Sequence, residues 1–343
     1  NNTSMVNRSY TQGPLAADAS YNRYASYLQY AYELKSGWKI QPGIRYSSAH
    51  ADLKEFYTKN NDFSTQSAPH SKTYEEVIGS VRVSKSLNEQ LSVFGGLSQG
   101  FRPPSLYDLT STDETSIIEE PNLNLKSEDF IQFEVGARHN AGPLSLSASY
   151  YHTWIRDMIV RSPYVDAASG KTKSVKSNGD GYIHGLELEL GYVWSEAWSS
   201  TLSFSWMDGE VQQLLDDNLT GTVTIEGRNF LPVDRATTRL MPIQTHITTR
   251  YQPPTSPWMG ELSILAVSKA DKLSLKDETD KSRIPRGGTP AYFLFGISGT
   301  YQFRDKLNLS VAIENISDID YRIHGSGVNG PGRNFIFSLT KSF

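Results

Sequence analysis

From Asn334 to the C-terminus, apolar and polar side chains alternate. Phe335, Phe337, Leu339 and Phe343 share one parity, Asn334, Ser338, Thr340 and Ser342 the other, with Ile336 and Lys341 as exceptions. A strand turns successive side chains to opposite faces, so this stretch predicts a strand with one greasy and one polar face. The pattern also appears near the start of the chain. Tyr24, Leu28, Tyr30, Tyr32 and Leu34 oppose Gln29, Glu33 and Lys35. After a tight Ser36-Gly37 turn, Trp38, Ile40, Ile44 and Tyr46 oppose Lys39, Gln41 and Arg45. That is a hairpin of two long one-sided strands.

The hairpin recurs along the chain. Residues 73–86 turn at 87–89 into 90–101, 127–139 turn at 140–142 into 143–160, and 173–194 turn at 195–197 into 198–207. Residues 239–251 turn through Pro253-Pro254 into 258–269, and 290–303 turn at 304–306 into 307–314 before the terminal strand. This predicts about thirteen strands, with residues 1–19 as a polar loop. Short turns alternate with long polar segments at 51–71, 102–126, 161–172, 208–238, 270–289 and 315–332. Outer-membrane barrels follow this rule, with short periplasmic turns and long extracellular loops. The expected fold is therefore all-β: a transmembrane up-and-down antiparallel β-barrel whose greasy faces meet lipid, with the C-terminus on the periplasmic side.

An odd strand count leaves two open edges, which hydrocarbon does not tolerate because unpaired N–H and C=O groups there cost several kcal/mol each. The 343 residues are therefore expected to be one portion of a barrel that needs partner strands.

Composition narrows the classes. No run of about 18 apolar residues occurs, so no transmembrane helix is expected. A spanning strand needs only about ten residues with alternate ones apolar. A hydrophobic content of 38% therefore does not oppose a barrel. Of the 19 Tyr, 14 Phe and 6 Trp, many lie near the ends of the apolar alternations, where amphipathic rings would sit at headgroup level. Cysteine is absent, which rules out disulfides and thiolate metal sites. A net charge of −4 with no basic stripe gives no support to nucleic-acid binding. The first ten residues, NNTSMVNRSY, do not look like a signal peptide.

Four segments resemble the TonB-dependent outer-membrane transporters. Ser98 to Leu109 (SQGFRPPSLYDL) is similar to the family's S-x-G-F-R-x-P-S-L-x-x-L segment, and Pro121 to Glu128 (PNLNLKSE) to its N-P-x-L-x-P-E stretch, with Lys126-Ser127 departing from the usual order. Asn178 to Glu187 (NGDGYIHGLE) resembles the N-x-x-x-x-x-x-G-x-E strand start. Asn315 to Arg322 (NISDIDYR), with the final Phe343, resembles the N-L-x-D-x-x-Y end signature. The resemblance implies a 22-stranded barrel closed by an N-terminal plug, of which residues 1–343 are the C-terminal portion without the plug or the TonB-contacting box. It implies bacterial outer-membrane localisation amid outer-membrane lipid and lipopolysaccharide. The implied partners are the missing N-terminal barrel and plug portion, the TonB complex acting through it, and the barrel assembly machinery reading Phe343.

Candidate chemistry lies in the loops. Arg102, Tyr107, Tyr321, His324 and Arg333 are the expected substrate contacts. His324 in His324-Gly325-Ser326-Gly327 could ligate a metal or haem iron, or lie in a tight loop where Gly supplies positive φ. The acidic 102–129 segment offers Asp113, Glu114, Glu119 and Glu120 as oxygen ligands for Ca²⁺, without the spacing of an EF-hand; such runs are usually solvated. Gly96-Leu97-Ser98-Gln99-Gly100 matches a nucleophile-elbow pattern but lies at a strand end with no helix after it. His152 and His246 lack visible carboxylate partners. Glu33, Arg45, Arg82, Glu134, Glu187, Glu189, Arg250 and Glu314 fall on the inward parity and read as lumen residues.

The reading is active, TonB-dependent uptake of a scarce nutrient (ferric siderophore, haem, cobalamin or oligosaccharide), with no cofactor and no covalent chemistry. The rivals are a passive porin and, more remotely, an outer-membrane enzyme.

Overall fold

The computed structural model describes residues 18–55, 57–58, 65–66, 69–111, 117–167, 169–225, 227–303 and 306–342. Asp113, Glu114, Phe343 and nearly all of the N-terminal loop lie outside these residues. Thirteen long strands are present among them: β1 (Asp18–Gln29), β2 (Trp38–Glu55), β3 (His70–Ser86), β4 (Leu91–Arg102), β5 (Glu128–Ala141), β6 (Leu144–Val165), β7 (Thr172–Val193), β8 (Trp198–Asp216), β9 (Gln244–Tyr251), β10 (Trp258–Val267), β11 (Tyr292–Gln302), β12 (Leu307–Glu314) and β13 (Asn334–Lys341). Each pairs antiparallel with its sequence neighbours, forming an up-and-down meander. No ladder joins β1 to β13 among the described residues, so the sheet is an open, partial barrel, as the odd strand count requires.

The register matches the alternation. Leu97 stands opposite Phe133, Leu188 opposite Phe204, Ile247 opposite Ile264, and Val311 opposite Phe337. These pairs form a continuous apolar surface on the outside, where Phe337 keeps 70% of its surface exposed. In water such a surface is a liability; in acyl chains it is the ground state. The opposite face carries Glu134, Arg138, Glu187 and Glu189, which line a concavity of about 470 Å³. Glycines there make room for rings. A Cβ on Gly136 would lie 2.3 Å from Phe94 Cζ, and the Arg138 guanidinium covers that same Phe94 ring at 4.7 Å.

Two aromatic belts bound the apolar band. At the short-turn end Trp198, Tyr251 and Trp258 form a chain of ring contacts at 4.6 and 5.1 Å, continued by Tyr192–Trp194 and Tyr301–Phe303. At the long-loop end Trp154, His152, His184 and Trp206 form another, with successive ring centroids at 4.4, 5.6 and 5.1 Å. Trp198 and Trp206 lie at the two ends of this span on one strand, about 26 Å apart along it at roughly 3.3 Å per residue. Tilted by about 40°, that span is roughly 20 Å high, close to the apolar band of an outer-membrane barrel.

Several strands run beyond this band into the extracellular space. β8 continues to Asp216 and pairs there with a hairpin, Val223–Ile225 and Arg228–Ala236, where the alternation predicts only loop. Residues 239–243, read as strand from sequence, instead form the connection into β9, which starts at Gln244. The hairpin, the outer ends of β6 and β7, and β8 enclose a small core of Tyr164, Val175, Leu214 and Phe230. Beyond the membrane both faces of a strand are free to pack, so period-two patterning is lost. Two short helices, α1 (Leu106–Thr110) and α2 (Leu275–Thr279), complete the fold.

Candidate functional site

The extracellular loops fold against one another, and the motifs quoted above hold them. Asn178 starts the outward bend of β7. Its side-chain amide donates to Asp157 O (2.6 Å) and Lys126 O (3.1 Å), while its Oδ1 accepts from Lys126 N–H (2.9 Å). Asp157, at φ 55°, is part of a bulge where the β6–β7 register shifts between Ile155 and Met158. Bulges of this kind bend a strand and increase its twist. The following Gly179 and Gly181 have no space for a side chain, since a Cβ would lie 2.0 and 2.1 Å from the carbonyl oxygens of Gln212 and Glu210.

Into this bend folds the loop after β4. Ser105 caps α1: its Oγ accepts from Asp108 N–H at 3.2 Å, while Asp108 Oδ2 accepts from Ser105 N–H at 3.0 Å. The arrangement is a reciprocal capping box. Leu109 and Leu125 bury against Ala51 and Ile159. Asn122 ties the loop to β7, its amide donating to Lys176 O at 2.8 Å.

A network of charges fills the interior of this lid. Arg102 grips Glu128 with two guanidinium nitrogens and donates to Asp108 at 2.9 Å. Glu128 also accepts from Ile159 N–H at 2.9 Å. Arg161 donates to Glu119 at 2.9 Å and approaches Asp108 at 3.6 Å. Lys176, with 0% of its side chain exposed, lies 3.3 Å from Glu119 and donates to Ser111 Oγ (2.9 Å) and Tyr107 O (3.2 Å). The Tyr107 ring lies near both cations, 5.5 Å from Lys176 Nζ and 5.6 Å from the Arg161 guanidinium.

Titration follows from this wiring. Burial alone would raise the Asp108 carboxyl, but hydrogen bonds from Ser105 and the Arg102 charge outweigh it and hold it below the usual range. For Glu119, burial is likewise outweighed, by the Ser111 hydroxyl, Arg161 and Lys176. Burial pulls Lys176 down against the attraction of Glu119, and Arg102 is raised by its Glu128 bonds.

A second cluster joins the loops at 217–243, 268–291 and 315–333. Arg239, at φ 61°, donates its N–H to Asp277 (2.9 Å) and its guanidinium to Asp280 (2.5 Å). Gln213 on β8 accepts from Leu275 N–H at 2.9 Å, anchoring α2. His324 is buried here. Its Nδ1 bonds Thr289 Oγ1 at 2.9 Å, its Nε2 has no hydrogen-bond partner among the described residues, and burial pushes its pKa down. Gly325, at φ 82°, turns the chain beneath the Arg239 side chain. Only Gly adopts that conformation easily.

Of the residues expected to contact substrate, the structure brings Arg102 and Tyr107 into one network and His324 into the other. Tyr321 packs against Tyr292 with ring centroids 4.8 Å apart and the rings tilted by 42°. Arg333 braces its own loop through Asp318 (2.8 Å) and Ile316 O (2.8 Å). Glu119 is committed to Arg161, Lys176 and Ser111, and Glu120 to the Tyr164 hydroxyl (2.8 Å) and Lys173 (3.2 Å). No group of three or more His, Asp or Glu able to hold a metal occurs among the described residues. Ser98 lies within β4, paired with Ser80 and Gln132, rather than on an elbow. Lys176, Arg161, Arg239 and Asp277 escape sequence reasoning because their partners are remote in the chain, 42 residues away for Arg161 and Glu119 and 41 for Arg239 and Asp280. The helix caps do have a signal: Ser105-Leu-Tyr-Asp108 and Ser274-Leu-Lys-Asp277 both fit the S-x-x-D/E start pattern.

Comparison with known proteins places this architecture. The profile described as TonB dependent receptor-like, beta-barrel matches residues 1–316, and the chain belongs to the TonB-dependent receptor family as part of its β-barrel. Members of this family are outer-membrane β-barrels of Gram-negative bacteria, which sets the apolar band in that membrane. Similar proteins include the pesticin receptor of Yersinia pestis, 22% identical over 305 residues covering 88% of this chain and 40% of the receptor. The probable TonB-dependent siderophore receptor PirA of Acinetobacter baumannii is 23% identical over 352 residues, covering 92% and 45%. The copper transporter OprC superposes with a TM-score of 0.76 at 19% identity, covering 95% of this chain and 49% of that one. The chain thus spans less than half the length of each.

Proposed function

We propose that residues 1–343 form the C-terminal portion of an outer-membrane active-transport receptor that captures a metal chelate, most simply a ferric siderophore, at its extracellular face. The observation that carries this reading is the interlocked lid. The described parts of the loops at 103–127, 217–243 and 268–291 are held by ion pairs with buried partners, and the 315–333 loop by the His324–Thr289 hydrogen bond, above a polar-lined lumen, a geometry suited to holding cargo rather than passing solutes freely. Relatives whose names refer to a siderophore and to copper favour a metal-bearing cargo. Cargo contacts are assigned to Arg102, Tyr107, Tyr321, His324 and Arg333, the polar groups at or beside the lid. The open edges of β1 and β13 support completion of a 22-stranded barrel by further strands, with a plug inside it and energy supplied through TonB. A passive porin needs neither a lid of this kind nor TonB.

The test uses the full-length receptor. Binding is measured for ferric siderophores, haem and cobalamin, and uptake is compared in cells with and without a functional TonB complex. Saturable binding of a ferric chelate with TonB-dependent uptake is expected. Uptake that does not saturate and persists without TonB restores the porin reading.

A further inference from the structure

The second loop cluster holds three polar atoms that are buried and have no hydrogen bond among the described residues: Arg239 Nη1, Asp277 Oδ1 and His324 Nε2. Each comes from a different loop, at 237–243, 268–291 and 315–333. The rest of these side chains is well satisfied. Asp277 Oδ2 accepts from Arg239 N–H (2.9 Å), Arg239 Nη2 donates to Asp280 (2.5 Å), and His324 Nδ1 bonds Thr289 Oγ1 (2.9 Å). The remaining atoms share one neighbourhood. Arg239 Nη1 and Asp277 Oδ1 are 3.3 Å apart, without the alignment of a hydrogen bond. Burial dominates the titration of His324, and the charges of Asp277 and Arg239 act on it next, so the ring lies within reach of both. Gly325 brings no side chain here: a Cβ on it would lie 3.0 Å from Arg239 Cδ and 3.2 Å from its Nε. Asp277 and His324 keep only 1% and 8% of their surface exposed, which shuts bulk solvent out.

We infer that this point is a binding site for one internal water molecule, which joins the three loops through hydrogen bonds to Arg239 Nη1, Asp277 Oδ1 and His324 Nε2. The balance of donors and acceptors selects that occupant. A guanidinium can only donate, and an ionised carboxylate can only accept. The free imidazole nitrogen does either, according to whether His324 Nδ1 or the Thr289 hydroxyl donates in their shared bond. Water carries two protons and two lone pairs. It therefore accepts from Arg239, donates to Asp277 and meets His324 in either tautomer. Charge selects against the other small ligands: a metal cation would face the guanidinium, and a halide or phosphate would face the Asp277 carboxylate. Three polar partners are the usual complement of a buried water, and such waters are costly to remove. The site belongs to the receptor without cargo and does not rest on the metal-chelate reading. A cargo group that reaches His324 Nε2 displaces this water.

The test is a crystal structure of the cargo-free full-length receptor, at a resolution that shows ordered water, with a second crystal soaked in sodium bromide. One solvent peak is expected within hydrogen-bond reach of all three atoms, with no anomalous bromide signal. A bromide peak at that point, or the three atoms bonded directly to protein groups with no solvent between them, overturns the assignment. Hydrogen exchange of the His324→Phe variant gives an independent reading in solution. Phenylalanine has no ring nitrogen, so the water loses one partner and Arg239 loses its polar link to the 315–333 loop. Amide protection in 237–243 should then fall roughly tenfold, about the factor that goes with one lost hydrogen bond. Protection in 315–333 should fall with it. Losses confined to 315–333 and to the strand of Thr289 overturn the claim that the water joins the loops. Should the variant fail to fold, the wild-type crystals decide alone.

Discussion

Lys176 has no exposed side-chain surface, yet it carries the charge that balances Glu119. Removing one partner of a buried pair usually costs about 3–5 kcal/mol, because the other is left uncompensated. Here Arg161 and Ser111 still hold Glu119, so Lys176→Met should cost less, about 2–3 kcal/mol, below that range. The loss should appear as faster hydrogen exchange in residues 103–125 without loss of the barrel. The double variant K176M/E119L, which removes both charges, should exchange more slowly than K176M alone. The same carboxylates set a pH dependence. Asp108 and Glu119 titrate below their ordinary range in the folded lid. Their contribution is fully present above the unfolded value of about 4 and is lost as pH falls through the lower folded values. His324 acts earlier, because its folded pKa is depressed. Acidification below about 6.5 protonates the opened loop in preference and loosens the packing of 315–333. Protection from exchange, measured against the intrinsic rate at each pH from 8 to 3, should fall in two windows, the first in the His324 loop and the second in 103–125. None of these pairings was legible in the chain, since a lysine whose partner lies far upstream leaves no local pattern. What was legible was that Arg102, Asn122, Asn178 and Asn315 occur in shared segments. The structure supplies the reason: the first three meet in one lid, and Asn315 caps its own loop by bonding Ile319 O (2.9 Å) and Pro331 O (3.1 Å).

At the scale of elements, the strands were readable because lipid on one side and a polar lumen on the other impose a strict period of two. That rule also predicts mutational outcomes. Leu188 lies on the lipid face opposite Phe204, and Phe337 opposite Val311. An arginine at either place should cost about 2–4 kcal/mol near mid-membrane. Glu189→Gln faces the lumen concavity and should be tolerated. Assembly in outer-membrane fractions, scored by heat-modifiable migration on gels, separates these cases. Equal tolerance at all three positions would remove the lipid-facing assignment. The same rule failed above the membrane. In β8 beyond Glu210 the sequence VQQLLDD alternates poorly, because Leu214 packs into the extracellular core while Gln213 bonds Ala236 O and Leu275 N–H. The short helices escaped for the opposite reason: their apolar content is too small for a 3.6-residue period, and only their serine caps announce them.

The whole molecule is governed by its two edges. β1 is paired with β2 along its full length and β13 with β12, which leaves one side of each without a partner among the described residues. Along a strand every second residue directs its N–H and C=O to the unpaired side. Each such group in hydrocarbon costs several kcal/mol, so even a handful exceeds the roughly 5–15 kcal/mol by which a typical domain is stable. No arrangement of the internal lid offsets this, because the lid lies outside the bilayer and the ion pairs that fix it do not reach either edge. Residues 1–343 expressed alone with an export signal should therefore fail to enter the outer membrane as a closed, heat-modifiable barrel and should appear as aggregate or degraded product. Supplying the proposed further strands, either in one continuous chain or as a separately expressed piece, should give a barrel that resists detergent until boiled. Strand pairing is then the specific cause, and it is checked by cysteine pairs placed across the new β1 and β13 contacts, which should cross-link only in the complemented protein. A stable, detergent-resistant monomer of residues 1–343 with β1 bonded to β13 would show instead that these strands close on themselves, and the partial-barrel assignment would fall.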